Sequence, residues 1–372
     1  MRDALAERLL AQVMGWSPED VARERPDLQA LATYKYDEYQ HFSPGMRFVE
    51  SLALWLSQFK APEERQIAYE FVKSKLIFCS SAEMAHLVSI AYPDHIRTLL
   101  LRKAAQDAGI PEHLVAKIAA SQAFKLRQRQ CLFLGLSDGA RIDLFRRYNP
   151  ELSHEQMLQT YEVSGERVDE LLAKLTKDLA ALRGQEAPKD HDKFRTIVLL
   201  DDFSGSGLSY LRRSADGAVE GKIGKLYRSL TEADSSASGL VDIRRTEIVV
   251  VLYMATEQAR SHLQTLMPEI WGSVGAEHSV LVVHALPANL CIRANDGSEV
   301  GKLVDAYYDP AVEDEHTKLG GSGVRYGFAS CGLPLILSHN TPNNSLCLLW
   351  AEPESKATRA LFPRVSRHRK ET

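Results

Sequence analysis

The sequence predicts an α/β protein: a largely parallel sheet covered on both faces, preceded by a mostly helical N-terminal region. Three observations carry this. Unbroken apolar runs rich in β-branched residues recur after residue 130, at 131–134, 196–200, 248–254 and 280–283. Such runs suit strands buried on both faces, which a parallel sheet requires. Helical segments separate the runs, as crossover connections demand. Before residue 130 the apolar residues recur instead at helical spacing.

In chain order, Ser17-Pro18-Glu19-Asp20 reads as a helix start, with a hydroxyl cap, a proline in the first turn and a carboxylate three residues on. Phe48, Leu52, Leu54, Trp55 and Phe59 then mark an apolar helical face. Residues 63–75 continue as helix. Residues 76–79 form a short strand that is a candidate to join the core sheet. Helices follow over 82–91 and up to 129, broken at Gly109-Ile110-Pro111. The strand at 131–134 ends in a glycine turn before a helix over 140–148. Ser153-His154-Glu155-Gln156 repeats the capping pattern, and 168–182 is amphipathic. Residues 184–193 read as a polar connector. Further strands are expected at 333–337, where Pro334 suggests an edge position, and at 346–350. Residues 213–244, rich in Gly, Ser and charge, read as a mobile insertion. The expected division is thus a helical region over 1–130, a core over 131–352 and a polar basic tail over 353–372.

With 372 residues, 45% hydrophobic and 25% charged, the chain is neither disordered nor collagen-like, and its length predicts two or three units. Forty-five Lys and Arg against 49 Asp and Glu give a net charge of −4, so charge does not support direct nucleic-acid binding. Met1-Arg2-Asp3 interrupts any apolar signal core, and the longest apolar stretch, 248–255, is far below the roughly 20 residues a membrane helix needs. The five cysteines include no C-x-x-C pair, which argues against a disulfide framework or zinc site. A reduced, cytoplasmic setting without a membrane partner is expected.

The chemistry concentrates in Thr196-Ile197-Val198-Leu199-Leu200-Asp201-Asp202-Phe203-Ser204-Gly205-Ser206-Gly207-Leu208-Ser209. A buried strand delivers two adjacent carboxylates to the carboxyl edge of the sheet, where open α/β sheets bind ligands. A Gly/Ser loop follows, leading into an expected helix over 208–213. Backbone N–H groups of such a loop at a helix N-terminus suit a phosphate. The carboxylates would repel that phosphate, so they must serve hydroxyls, and a ribose cis-diol fits. Acid pair plus loop reads as a ribose-5-phosphate clamp. A Walker loop would need a lysine, and a nucleophile elbow would need G-x-S-x-G; both are missing.

This segment resembles the phosphoribosyl-diphosphate-binding motif of type I phosphoribosyltransferases, in which an apolar strand and two acids precede a Thr-Gly-Gly-Thr-type loop. Here serine replaces both threonines and Leu208 replaces a glycine. The resemblance implies that Asp201 and Asp202 hold the ribose hydroxyls and that Ser206, Gly207, Leu208 and Ser209, with Ser204 and Gly205 before them, form the 5′-phosphate loop. Three further segments resemble signatures of the phosphoribosyltransferase-like proteins of bacterial conflict systems: Gly135-Leu136-Ser137-Asp138-Gly139-Ala140-Arg141-Ile142-Asp143, His339-Asn340-Thr341-Pro342-Asn343-Asn344-Ser345-Leu346, and Lys35-Tyr36-Asp37-Glu38-Tyr39 with Pro44-Gly45. That branch is found beside retron-type and other phage-defence genes. The resemblance therefore implies an enzyme acting at C1′ of phosphoribosyl diphosphate or a nucleotide. It also implies a role as a phage-defence effector, with protein or ribonucleoprotein partners of a defence operon. A nucleotide-sensing module of the same fold, or a partner-binding scaffold, stands as the alternative.

Two flanking segments have open readings. Asp138, Gly139 and Arg141 sit after a strand and before a helix, where Asp138 would position Mg²⁺ and Arg141 would meet a diphosphate. A glycine turn with Asp138 capping the helix and Arg141 in solvent explains them equally. Asn340 and Asn343 would line a base or acceptor pocket, or contact a partner. Asn and Pro also dominate turns for backbone reasons alone. Gly320-Gly321-Ser322-Gly323 with Arg325 reads as a hairpin or lid.

Overall fold

The computed structural model describes residues 3–186, 192–352 and 358–364. It contains two compact units: Met84–Leu286, and the chain up to Glu83 together with the chain from Pro287 on. This grouping differs from the expected division at 130 and 352. The contacts that gather a unit join segments far apart in sequence, and local pattern does not encode them.

The Met84–Leu286 unit is built on five parallel strands: β1 (Cys131–Gly135), β2 (Met157–Leu158), β3 (Thr196–Ser204), β4 (Glu247–Thr256) and β5 (Glu277–Leu286), in the order β2-β1-β3-β4-β5. The protein is α/β with a largely parallel sheet, as the apolar runs predict. All ten residues of β4 are buried, as are the first six of β3. Alternate residues serve the two faces. Leu132, Leu134, Ile197, Leu199, Ile248, Val250 and Leu252 share one core with Leu171, Leu175 and Leu179 of the helix Gly165–Arg183. On the other face Phe133 meets Tyr92 and Phe145. Burying an apolar side chain of this size stabilises by about 1.5–3 kcal/mol, so the strand runs themselves hold the unit together.

The 213–244 segment is not the expected mobile insertion. It forms a two-stranded hairpin (Arg212–Arg213 with Val219–Glu220) and the helix Lys222–Thr231. Ile223, Leu226, Leu230, Ala237, Leu240 and Val241 are buried in the same core as the sheet. Their helical spacing hides among glycines, serines and charges.

The other unit packs the helices Pro18–Tyr34, Phe48–Leu56, Pro62–Ser74 and Glu299–Tyr307 around Phe48, Trp55, Phe59 and Phe362. The strand at Ile77–Cys79 does not join the five-stranded sheet. It pairs in parallel with Leu335–Leu337, preceded by Pro334, whose carbonyl accepts a hydrogen bond from the Ile77 N–H. The run expected as a strand at 346–350 is instead a short helix, Cys347–Trp350, buried all round. A four-residue apolar run carries no periodicity to separate the two states. Part of the expected polar tail is core as well: Ala360, Leu361 and Phe362 are buried, and the Leu361 carbonyl accepts from the Ser51 hydroxyl. Residues 353–357 and 365–372 of that tail, and 187–191 of the connector, lie outside the described residues. No helix among the described residues is long and apolar enough to cross a membrane.

Candidate functional site

The strand order reverses between β1 and β3: the chain leaves β1 toward β2 on one side, then continues from β3 to β4 and β5 on the other. In open α/β sheets ligands bind outside the carboxyl ends of the strands at that reversal. The two loops leaving this point are residues 136–141 after β1 and 205–209 after β3, the same two segments that carry the sequence motifs. Their strands run in register, Gly135 beside Leu200, so the two acids begin where β1 ends.

The acid pair divides into two different environments. Asp201 is completely buried. Its Oδ2 accepts hydrogen bonds from the Tyr210 hydroxyl at 2.8 Å and from the Lys222 ammonium at 2.8 Å. Its Oδ1 accepts from the Ser137 hydroxyl and from the Asp202 N–H at 3.2 Å. Burial raises its pKa above the ordinary carboxylate value; the Asp202 charge adds to this, and Lys222 opposes it. Lys222 also stands over the Tyr210 ring at 5.0 Å. Burial and the neighbouring carboxylates push the Tyr210 phenol well above its ordinary range, so it remains a donor. Both oxygens of Asp201 are therefore engaged within the protein, and it acts as a buried anchor that ties the β1 loop, β3 and the Lys222 helix together.

Asp202 is only half-buried, and its Oδ1 accepts from the Phe203 N–H at 2.8 Å. Its carboxyl lies against Gly139. A Cβ on Gly139 would stand 2.5 Å from Asp202 Oδ2 and 2.6 Å from Oδ1, a distance no real Cβ contact tolerates. Any larger residue here would push this carboxyl aside, so glycine lets the β1 loop close over it where it stands. The same loop is fixed from beneath by the Tyr253 hydroxyl, which donates to the Ala140 carbonyl at 2.8 Å.

Of the Gly/Ser loop, Ser204, Gly205, Ser206 and Gly207 are buried, Leu208 is half-buried and Ser209 is exposed. Ser204 Oγ accepts from the Gly207 N–H at 3.2 Å, and the Gly205 carbonyl accepts from the Thr256 hydroxyl. Gly207 has φ +80°, and a Cβ there would meet His262 Cδ2 at 2.8 Å. His262 in turn holds the Leu211 carbonyl at 2.7 Å. The helix expected over 208–213 does not form. The N–H groups of Tyr210 and Leu211 both bond the Gly207 carbonyl, and the chain turns into the Arg212–Arg213 strand. A left-handed residue closes a turn here instead of opening a helix. The Leu208 N–H bonds Ser206 Oγ at 3.4 Å, so two N–H groups of the loop are spent on its own hydroxyls, and no helix macrodipole stands behind the loop.

Asp138 is exposed, in a 3₁₀ turn capped by Ser137, and the helix that follows, Ile142–Tyr148, starts at Arg141 with no side-chain cap, so Asp138 does not take the helix-capping role considered for it. Arg141 adopts φ 50°, a left-handed conformation that costs a non-glycine residue roughly 1–2 kcal/mol. Such strain clusters where the chain must aim a side chain. Asn340 and Asn343 belong to the other unit, where their described contacts serve a turn: Asn340 Oδ1 accepts from the Thr341 N–H at 3.0 Å, and the Asn343 carbonyl accepts from the Phe328 N–H at 2.6 Å. Arg325 pairs with Asp305 at 3.1 Å. Among the described residues no three His, Cys, Asp or Glu side chains gather as a metal site.

Sequence reading missed Lys222, Tyr210, Ser137, Tyr253 and His262. Ser137 lay in a quoted motif, but its partner is 64 positions away. Lys222 follows Gly221 in the segment expected to be mobile.

Together these features define a doubly wound α/β fold whose two loops meet over a half-exposed carboxylate at the point where such folds hold ligands. The PRTase-CE family model matches residues 52–364, and the chain belongs to that family, which is phosphoribosyltransferase-like. The match includes the acid pair, both loops and the 339–346 segment; residues 35–39 precede it. No curated protein and no solved structure matches the chain.

Proposed function

We propose that the site at the β1/β3 reversal binds the ribose-5-phosphate group of phosphoribosyl diphosphate or a nucleotide, and that the protein acts at C1′. The observation that carries this is the half-buried Asp202 carboxylate, held by Gly139 between two small-residue loops. Asp202 accepts hydrogen bonds from the ribose hydroxyls, and the 204–209 loop receives the 5′-phosphate, with its Gly207 and Leu208 N–H groups leaving Ser204 and Ser206 to do so. Asp201 positions Asp202 without touching the ligand. On the β1 side, Arg141 faces the diphosphate as a charge-assisted donor. Mg²⁺ takes one or two carboxylates together with substrate phosphate oxygens, so Asp138 and Asp202 are donors of the right kind. When bound, the ion neutralises charge on the departing diphosphate. The clamp holds the sugar while positive charge grows at C1′.

A second reading, a nucleotide-sensing module, is favoured by one observation. The phosphate loop ends in a turn and not at a helix N-terminus, so its electrostatic pull on phosphate is weaker. A role as a phage-defence effector with protein or ribonucleoprotein partners is supported by the resemblance of the 135–143 and 339–346 segments.

Phosphoribosyl diphosphate with Mg²⁺ should raise the melting temperature, and Asp202→Asn should abolish the rise. Consumption of the diphosphate or release of a base then separates enzyme from sensor. No shift with any phosphorylated ribose refutes both readings.

A further inference from the structure

The opposite end of the same sheet holds a second concave site. A cleft of about 620 Å³ opens where β1 and β3 begin, lined before β1 by Leu126, Arg127 and Gln130 and before β3 by Lys193 and Arg195. Arg183 and Arg245 line it too. Its volume falls in the range of roughly 300–1,000 Å³ typical of small-molecule sites. From Arg195 to Asp202 the strand advances seven residues, about 23 Å at the usual rise, so the cleft is distinct from the acid-pair site.

The charges of the cleft do not balance. Among the described residues five cations face it, and the carboxylates are Asp107, Asp192 and Asp242, leaving 5 − 3 = +2 in a chain of net charge −4. Each carboxylate already has its own arginine. Asp107 takes Arg127 through contacts of 2.5 and 2.9 Å, Asp192 takes Arg183 through two of 2.9 Å, and Asp242 lies 3.5 Å from Arg245. The Lys193 ammonium donates to the Gly239 carbonyl. Arg195 is left over. It is half-buried, and among the described residues its guanidinium makes no ion pair and no hydrogen bond; Asp107, already bonded to Arg127, reaches it only through its field. Burial and the like charge of Arg127 disfavour its charged form, and the Asp107 charge offsets this only in part. A half-desolvated cation without a partner costs stability, and a guanidinium is the donor best matched to phosphate.

We propose that this cleft binds a small polyanion carrying two or more phosphate groups, with the Arg195 guanidinium as its central contact and Arg245 at its rim. Arg127 and Arg183, paired to their aspartates, supply field without rearranging. Ala123 and Leu126 give one apolar wall. The cations converge on one bounded cleft and do not run along a face, which favours a compact ligand over a nucleic-acid strand. The proposal stands apart from the reading of the acid pair, because no residue is shared.

Sodium tripolyphosphate titrated into the full chain by calorimetry tests it. Wild type should bind at micromolar to millimolar concentration. Arg195→Gln should weaken binding by about tenfold or more, and Arg195→Lys and Arg245→Gln by less. Without ligand, Arg195→Gln should melt at or above the wild-type temperature, because an uncompensated cation has been removed. Several outcomes overturn the proposal: no binding by wild type, equal affinity in Arg195→Gln, a clear drop in its ligand-free melting temperature, or Arg195-dependent binding of a single-stranded oligonucleotide but not of tripolyphosphate. Asp202→Asn should leave the tripolyphosphate affinity unchanged, so failure of the acid-pair reading would be visible separately.

Discussion

Replacing Lys222 by methionine removes one atom group from a fully buried carboxylate. Asp201 would keep the Ser137 and Tyr210 hydroxyls but lose the cation paired with it, with the Asp202 charge still beside it. Breaking a buried ion pair from one side costs about 3–5 kcal/mol. Lys222 retains 26% side-chain exposure, so water screens part of this, and about 2–3 kcal/mol is the reasonable loss. For a unit of this size each kcal/mol moves the melting temperature by about 2–4 °C, which gives a fall of about 4–12 °C. The loss should depend on pH. The folded pKa of Asp201, already raised, rises further in Lys222→Met. Stability linked to a raised carboxylate pKa is fully present below the unfolded value near 4 and is lost as pH climbs toward the folded value. The deficit relative to wild type should therefore be small at acidic pH and larger at pH 8. The double variant Lys222→Met with Asp201→Asn should recover most of the loss. Denaturant unfolding at several pH values measures all three proteins. A Lys222→Met variant as stable as wild type at pH 8, or a deficit that neither varies with pH nor responds to Asp201→Asn, would refute the buried-anchor assignment.

Other outcomes follow from the same geometry. Gly139→Ala should displace the Asp202 carboxyl and remove the thermal shift given by phosphoribosyl diphosphate, while Ala140, one residue on, keeps its bond to Tyr253. Gly207→Ala, at φ +80° and against His262, should cost about 1–2 kcal/mol in unfolding free energy, read by chemical denaturation. Thiol titration of the native protein at pH 8 should label the half-buried Cys291 first. Cys131, Cys331 and Cys347, whose thiols burial pushes up to about 12, should react only on unfolding.

Much of the site was legible because its signal is local. The run before Asp201 is continuous and β-branched, so it declares a buried strand, and two acids followed by Gly and Ser within nine residues declare a ligand edge. Ser137-Asp138-Gly139 was legible as a loop, but its glycine was not legible as a contact to Asp202, since that contact crosses between strands. The unequal fates of Asp201 and Asp202 were invisible: strand alternation aims them to opposite sides, and only the fold says which side carries Tyr210 and Lys222. The turn after Gly207 was misread as a helix because 208–213 contains good helix formers, and the left-handed glycine overrides them. The pairing of Ile77–Cys79 with Leu335–Leu337 joins positions more than 250 residues apart, and Ala360-Leu361-Phe362 is a core run too short to show a period, set between Arg359 and Pro363-Arg364.

The central claim is that Asp202, and not its buried neighbour, receives the ribose. Calorimetric titration of phosphoribosyl diphosphate with Mg²⁺ into wild type and Asp202→Asn, paired with their ligand-free melting temperatures, tests it most directly. The account predicts an affinity loss of about tenfold or more in Asp202→Asn, with a ligand-free melting temperature within about 2 °C of wild type, because a half-exposed side chain is exchanged for its isostere. Wild-type affinity in Asp202→Asn would contradict it.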